Sequence, residues 1–174
     1  PLRAVYTRAL HAGWAYGCNI CDAGLRRFVA HGIPPEPDFL CPLCRSKPPH
    51  RLAAVYFEKH PQVFQRSGTL LHVAPEIGLG RRLAAKARAS GMNYRHGGIT
   101  GVGDNYIDLL NLPFADASIA LVYCCHVLNS LQDDRTAMRE VFRVLHPDGL
   151  AILQVPAFHQ GATTLETNSA AERM

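Results

Sequence analysis

The chain has 174 residues and a mass of 19.1 kDa, enough for one ordinary domain with a small appendage. Hydrophobic residues make up 48% and charged residues 18%, which excludes wholesale disorder, and the absence of a long apolar run predicts a cytoplasmic protein without a membrane partner. The net charge of +4 is unevenly divided: residues 1–100 carry 14 Lys/Arg against 5 Asp/Glu, and residues 101–174 carry 4 against 9, so either chance or an anionic partner such as RNA explains the basic N-terminal half.

Four of the six cysteines form two C-x2-C pairs separated by 19 residues. This spacing allows two tight turns to place four thiolates tetrahedrally around one zinc ion. Two disulfides are the alternative, which the lack of a secretory signal disfavours. We therefore predict a Zn²⁺ site, whose simplest role is structural, with the ligands Cys18, Cys21, Cys41 and Cys44.

The segment around these pairs has the layout of a zinc ribbon. Residues 25–30, between the pairs, are predicted to form a strand, and residues 31–35 the turn that ends it. A basic connector, residues 45–51, follows the second pair and leads into a helical run at residues 52–57. The connector either binds an anion or is a solvated linker.

From about residue 68, apolar strands alternate with helices. Strands are predicted at residues 70–74, 92–95, 106–109, 119–124 and 150–155, helices at 78–90 and from the N-cap Asp133 to residue 145, and a turn at 146–149. Continuous apolar strands separated by helices indicate a parallel sheet covered on both faces, in a doubly wound α/β domain. We assign residues 1–60 to the ribbon and its connecting helix and residues 61–174 to the α/β domain, with a polar tail at 160–174.

Ligands of an open parallel sheet bind beyond the carboxyl ends of its strands, where the strand order switches. The segment from His72 to Gly80 leads from the first of these strands into a helix N-terminus. Asp108 lies at the end of the third predicted strand, and Cys124, Cys125 and His126 end the fourth.

Three motifs in this domain carry a family resemblance. D-L-L-N-L-P-F from Asp108, H-V-L from His126 and R-V-L-H-P-D-G from Arg143 resemble class I S-adenosylmethionine-dependent methyltransferases of the type 11 group. The motif H-V-A-P-E from His72 follows the four-cysteine ribbon in the sequence. This combination resembles a bacterial subgroup of these enzymes that carries an N-terminal zinc-binding region. The resemblance covers about residues 14–157 and implies a Rossmann-like methyltransferase sheet.

The resemblance also implies a site for S-adenosylmethionine. The turn from His72 to Gly78 would hold the methionine end and the ribose, Asp108 would accept a hydrogen bond from the adenine amino group, and Leu109 would pack on the adenine ring. His126 is the candidate for a catalytic residue in the methyl-donor cleft. The implied cofactor-binding residues are His72, Ala74, Pro75, Glu76, Gly78, Asp108, Leu109 and Cys125.

Several positions depart from the family pattern. Ala74 and Glu76 stand where the family has glycines, and no carboxylate follows the second strand of the α/β domain to bind the ribose hydroxyls. Asn129 and Ser130 replace the usual Glu-His pair. Two functions follow: methyl transfer to an unidentified acceptor, or a degenerate methyltransferase fold that acts as a zinc-containing binding or scaffold protein, with RNA as a candidate partner.

The length predicts an incomplete sheet. About 110 residues remain for the α/β domain, whereas the family's sheet has seven strands, and no candidates for the last two follow Val155. Either the chain is truncated, or self-association or another partner completes the sheet.

Overall fold

The computed structural model describes residues 2–156, which form two compact units. The N-terminal unit comprises the chain up to Gln62 together with Glu76–Lys86. The sheet unit comprises Val63–Pro75 and the described residues from Ala87 onward. None of the helices within residues 2–156 has the length and apolar composition that a membrane crossing requires. The predicted polar tail at 160–174 lies outside the described residues.

The N-terminal unit is built from two short hairpins and helices. β1 pairs with β2 and β3 with β4, both antiparallel. Helix α1 was not predicted from the sequence, and α2 begins at a proline in its first turn, where the missing N–H costs nothing. The elements are α1 (Leu2–His11), β1 (Ala12–Cys18), β2 (Ala23–Leu25), β3 (Val29–His31), β4 (Glu36–Leu40) and α2 (Pro48–Lys59).

The single strand expected at residues 25–30 is wrong, because residues 26–28 separate β2 from β3. The backbone N–H of Arg26 donates to the carbonyl oxygen of His11 at 2.9 Å, and its Nε donates to that of Ala12 at 3.0 Å. These bonds hold Arg26 to the start of β1, whereas the chain three residues later pairs with β4. The segment therefore bends between two partners instead of extending along one.

The sheet unit contains four parallel strands in the order β6-β5-β7-β8. The chain passes from β5 to β6 on one side and then crosses to β7 on the other, so the strand order switches between β5 and β7, which confirms the doubly wound arrangement. The elements are β5 (Thr69–Val73), α3 (Ile77–Ala89), β6 (Asn93–Gly97), β7 (Ile119–Cys125), α4 (Asp134–Val144) and β8 (Leu145–Gln154). Helix α3 begins in the N-terminal unit and ends in the sheet unit.

Two predicted details of this unit are wrong. Residues 106–109 form no strand: Tyr106 makes one bridge to Gly98, and then Leu110 N–H donates to Asp108 Oδ1 at 2.9 Å. This turn, closed by the aspartate side chain, ends the extended conformation. The expected turn at residues 146–149 lies inside β8, at a shift in its register with β7.

One face of the sheet packs a core of aliphatic side chains against α4 and the loop that precedes β7. The other face carries buried polar groups: His72 Nδ1 lies 2.9 Å from the Tyr94 hydroxyl, and its ring lies 4.9 Å from that of Tyr123. The core residues of the first face are Leu71, Val73, Ile107, Leu109, Leu112, Ile119, Val122, Cys124, Ala137, Val141 and Val144.

Arg143 of α4 fixes the loop between Asp108 and β7. Its guanidinium donates to the carbonyl oxygens of Leu112 and Phe114 at 3.0 and 2.9 Å, and it forms an ion pair with Glu140 at 2.8 Å. Glu140 in turn accepts the N–H of Leu112 at 2.9 Å. The arginine of the R-V-L motif thereby joins the backbone of the L-P-F motif.

We expect Glu140→Gln to destabilise the protein more at neutral pH than in acid. The hydrogen bond from Arg143, with that from Leu112, lowers the pKa of Glu140 to about 2 from its usual 4.5. A depressed carboxyl pKa stabilises the fold above pH 4.5, and this contribution is lost as the pH falls toward 2. Urea unfolding of the wild type and the variant at pH 7 and pH 3 measures the difference. The control Glu36→Gln, at an exposed position of β4, should show no such pattern. An equal loss of stability at both pH values for Glu140→Gln contradicts the prediction.

Candidate functional site

The four cysteines of the two C-x2-C pairs lie together in the N-terminal unit. Each offers a sulfur atom within 4.8 Å of the others. Cys18 Sγ lies 3.7 Å from Cys44 Sγ, and Cys21 Sγ lies 3.9 Å from Cys41 Sγ. A tetrahedron with Zn–S bonds of about 2.3 Å has edges of about 3.8 Å. The sulfur positions therefore fit a tetrahedral zinc ion.

The two cysteine pairs form turns of the same shape. The N–H of Asp22 donates to the Cys18 carbonyl oxygen at 2.8 Å, and that of Arg45 donates to the Cys41 carbonyl oxygen at 2.9 Å. Both residues have positive φ, 55° and 60°. Ser46, which the sequence did not single out, is buried with its hydroxyl 3.4 Å from Cys18 Sγ and 3.2 Å from Cys44 Sγ. This hydroxyl lies where it can orient two of the cysteine sulfurs.

Two of the four thiols, those of Cys21 and Cys41, have raised pKa values. Burial raises the pKa of the Cys21 thiol to about 11. Hydrogen bonds with Cys41 and Cys44 hold the pKa of Cys18 well below its usual value, and the bond to Cys18 raises the pKa of Cys41. Cys21 and Cys41 are therefore protonated at neutral pH, so a metal ion that binds all four sulfurs must displace protons.

The basic connector after the second pair makes contacts inside its own unit. Arg51 donates from Nη1 to the carbonyl oxygens of Phe39 and Ser46 at 3.1 and 2.9 Å, and its guanidinium lies 4.1 Å from the Phe28 ring centre. His50 accepts the Lys47 N–H at Nδ1, 3.3 Å away, so its Nε2 carries the proton. The positions of His50 and Arg51 are thus set by the fold of the ribbon.

Two residues of the implied cofactor turn, Glu76 and Gly78, belong to the N-terminal unit and face the ribbon. Glu76 Oε1 lies 3.3 Å from His50 Nε2. A Cβ on Gly78 would lie 2.8 Å from Ile20 Cγ2 and 3.3 Å from Cys44 Cβ, so this close approach requires glycine. Glu76 directs its side chain toward α2.

Arg82 of α3 provides a second tie within the same unit. Its guanidinium bonds to Glu58 Oε1 at 2.6 Å and to Asp22 Oδ2 at 3.3 Å. Asp22 follows the first cysteine pair, and Glu58 lies near the end of α2. The first turns of α3 are therefore bound to both the ribbon and its helix.

In the sheet unit, two residues with positive φ follow the strands at the switch in strand order. Ala74, directly after β5, has φ of 49°, and His126, directly after β7, has φ of 55°. Such a conformation costs a non-glycine residue about 1–2 kcal/mol. The N–H of Ala74 donates to the Gly97 carbonyl oxygen at 2.6 Å. Backbone strain of this kind clusters at functional sites.

A cavity of about 410 Å³ lies in the same unit, between β6 and the loop that precedes β7. One carboxylate, Asp108, and one guanidinium, Arg95 of β6, line it together with two aromatic side chains. Asp108 Oδ1 accepts the Leu110 N–H, which fixes the carboxylate at the cavity wall. The lining residues are Arg95, Gly103, Tyr106, Asp108, Asn111, Pro113 and Phe114.

The other implied site residues of the sheet unit are divided between surface and interior. Leu109 lies in the aliphatic core and is not among the residues that line the cavity. Cys125 and His72 are buried, and Pro75 is half-buried. His126 is exposed, and its N–H donates to the Gln154 carbonyl oxygen at 2.8 Å. Arg95 of β6 was not identified from the sequence as a cavity residue. It lies in the strand after which the resemblance led us to expect a carboxylate that binds the ribose.

The comparison with protein families finds one match. Residues 80–153 match the type 11 family model described as a methyltransferase domain. The resemblance predicted from the three motifs is thereby confirmed for this segment, in which all three lie. No curated protein matches the chain.

Solved structures with related folds are distant. A proposed S-adenosylmethionine-dependent methyltransferase from Methanococcus maripaludis shares 16% identity over 58% of this chain and 55% of its own, with a TM-score of 0.36. The [4+2]-cyclase SpnF shares 21% over 59% and 45%, with a TM-score of 0.38. The YcgJ protein of Bacillus subtilis shares 19% over 50% and 43%, with a TM-score of 0.32. The chain thus spans about half the length of these proteins.

We expect the purified protein to carry one zinc ion per chain, measured by elemental analysis. Cys41→Ser should lose most of this zinc, whereas Cys124→Ser, a buried cysteine of the sheet unit, should keep it. Because protons compete for the sulfurs, zinc affinity should fall as the pH falls. Full zinc content in Cys41→Ser contradicts the prediction.

The contact between His50 and Glu76 should appear as a coupling free energy. In a double-mutant cycle with His50→Ala and Glu76→Ala, we expect about 1 kcal/mol of non-additivity in the free energy of unfolding of the zinc-loaded protein. The same cycle with His50→Ala and Glu36→Ala should be additive, since Glu36 lies exposed on β4. Additivity in both cycles would mean that the pair contributes nothing.

Proposed function

We propose that this chain, whose residues 80–153 match a methyltransferase domain, binds S-adenosylmethionine in the sheet unit and transfers its methyl group to an acceptor. The single observation that carries the proposal is the placement of Asp108 at the wall of the cavity. A second proposal, that the cysteine cluster holds structural zinc, rests on the sulfur separations given above.

The residues of the sheet unit fit the adenine end of this cofactor. Asp108 has one oxygen occupied by the Leu110 N–H, and the other can accept a hydrogen bond from an exocyclic amino group. Tyr106 and Phe114 supply aromatic surface at the same cavity. Arg143 holds the backbone of Leu112 and Phe114, so the loop that carries this wall keeps its shape.

The chemistry needs little acid or base from the protein. S-adenosylmethionine supplies an electrophilic methyl group on a positively charged sulfur. The chain must orient the cofactor and exclude water, and it needs a base only if the acceptor loses a proton. His126, exposed at the end of β7, is the candidate for that base.

A degenerate fold that binds a ligand without catalysis is the second candidate function. The residues available to bind the ribose of S-adenosylmethionine favour it. The strand β6 has the sequence N-Y-R-H-G, which offers no carboxylate, and Arg95 of this strand lines the cavity. A protein of this kind would bind a ligand or a partner through the same surfaces and release no methylated product.

Calorimetry of the full chain with S-adenosylmethionine and its demethylated product tests the proposal. We expect Asp108→Asn to weaken binding by roughly tenfold to a hundredfold, because the variant loses a hydrogen bond to a charged group. Asp148→Asn, whose side chain is exposed in the same unit, should bind as the wild type does. Failure of the wild type to bind either ligand at millimolar concentration would overturn the proposal, and binding without transfer of a labelled methyl group to any cellular fraction would favour the degenerate fold.

A further inference from the structure

The first hairpin of the N-terminal unit displays aromatic side chains to solvent. Trp14 is the only tryptophan of the chain, and its side chain is fully exposed, at 100%. Tyr16, two residues further along β1, is 45% exposed. The pairing of β1 with β2 is irregular between Ala12 and Tyr16, so Trp14 stands on a bulged stretch between the small residues Gly13 and Ala15.

The side chain of Arg26 lies beside this stretch. A Cβ on Gly13 would meet Arg26 Cγ at 2.7 Å, so the Arg26 side chain runs past the residue that precedes Trp14. Its Nε donates to the Ala12 carbonyl oxygen, which holds the guanidinium along the strand. Arg27 follows and is also exposed. We define the hairpin surface as Trp14, Tyr16, Arg26 and Arg27.

The segment that carries the hairpin surface has a positive charge. Residues 1–35 contain four arginines and one acid, Asp22, whose carboxylate pairs with Arg82 at 3.3 Å. The surface therefore attracts an anionic partner. The basic connector is less suited to this role, because Arg51 donates to two backbone carbonyl oxygens and His50 faces Glu76.

Exposed aromatic rings with arginines nearby are the features that bind single-stranded nucleic acid. The bases stack on the rings, and the guanidinium groups contact the phosphates. RNA presents such unstacked bases in its loops and single-stranded segments, whereas a duplex keeps its base faces covered. We propose that the hairpin surface binds single-stranded RNA, with a base stacked on Trp14 and phosphates bound by Arg26 and Arg27.

The single tryptophan makes the test specific to the surface. Titration of the full, zinc-loaded chain with a single-stranded RNA oligonucleotide should quench the fluorescence of Trp14, because the indole stacks on a base. A duplex RNA of the same length should quench it much less. No quenching by the single strand, or equal quenching by the duplex, overturns the proposal.

Variants separate stacking from charge. With a labelled single-stranded RNA, Trp14→Ala should weaken binding on the order of tenfold, and Arg26→Glu with Arg27→Glu should weaken it further and flatten its dependence on salt. Ile33→Ala is the matched control, since Ile33 is as exposed as Trp14, at 103%, in the same unit. Unchanged affinity in Trp14→Ala contradicts the proposal.

The assay also distinguishes RNA from a second copy of the chain on the hairpin surface, and a failure of RNA binding from a failure of cofactor binding. If Trp14 fluorescence changes with protein concentration alone, and Trp14→Ala abolishes a dimer seen by light scattering, the surface pairs with a second copy of the chain and the proposal is overturned. RNA binding is measured without S-adenosylmethionine. A protein that fails to bind the cofactor can therefore still confirm the hairpin surface, and the reverse also holds.

Discussion

The meeting of four thiols from two distant cysteine pairs is the constraint on which the N-terminal unit depends. The unit's strands are three to seven residues long, so its own core is small. The residues around the cluster contact other parts of the unit. Ser46 contacts two of the sulfurs, and Cys44 lies against Gly78. His50, in the helix that follows the second cysteine pair, faces Glu76. Whatever holds the sulfurs together therefore also holds the first turns of α3.

In the sheet unit, Arg143 plays the corresponding part. It joins α4 to the loop that carries the cavity wall, through two carbonyl oxygens and two carboxylates. Arg143 of the R-V-L-H-P-D-G motif thus acts on the shape of the loop and does not itself line the cavity. The wall includes Asp108 and Phe114, the first and last residues of the D-L-L-N-L-P-F motif.

The sequence was most informative where one local pattern determined the structure. Three features were predicted correctly: the clustering of the four cysteines, the strand β7 and the N-cap of α4. At that N-cap, Asp133 accepts the Thr136 N–H at 2.8 Å. Residues 25–30 and 106–109 were each wrongly predicted as a strand, because other interactions override their β-propensity. In the first segment these are hydrogen bonds of Arg26 to the start of β1, and in the second the turn closed by the Asp108 side chain. The position of Arg95 at the cavity and the burial of Leu109 depend on how the whole sheet packs. The spacing of residues in the sequence does not show this packing.

The N-terminal unit is discontinuous in the chain, because β5 and its flanking residues intervene between Gln62 and Glu76. During synthesis, the ribbon leaves the ribosome long before Arg82 can reach Asp22, a partner 60 residues upstream. Contacts between such distant residues slow folding, since a long loop must close before they are made. A fragment cut after residue 62 would lack this part of its own unit, so the boundary between the two units is not a site at which the protein can be divided into independent halves.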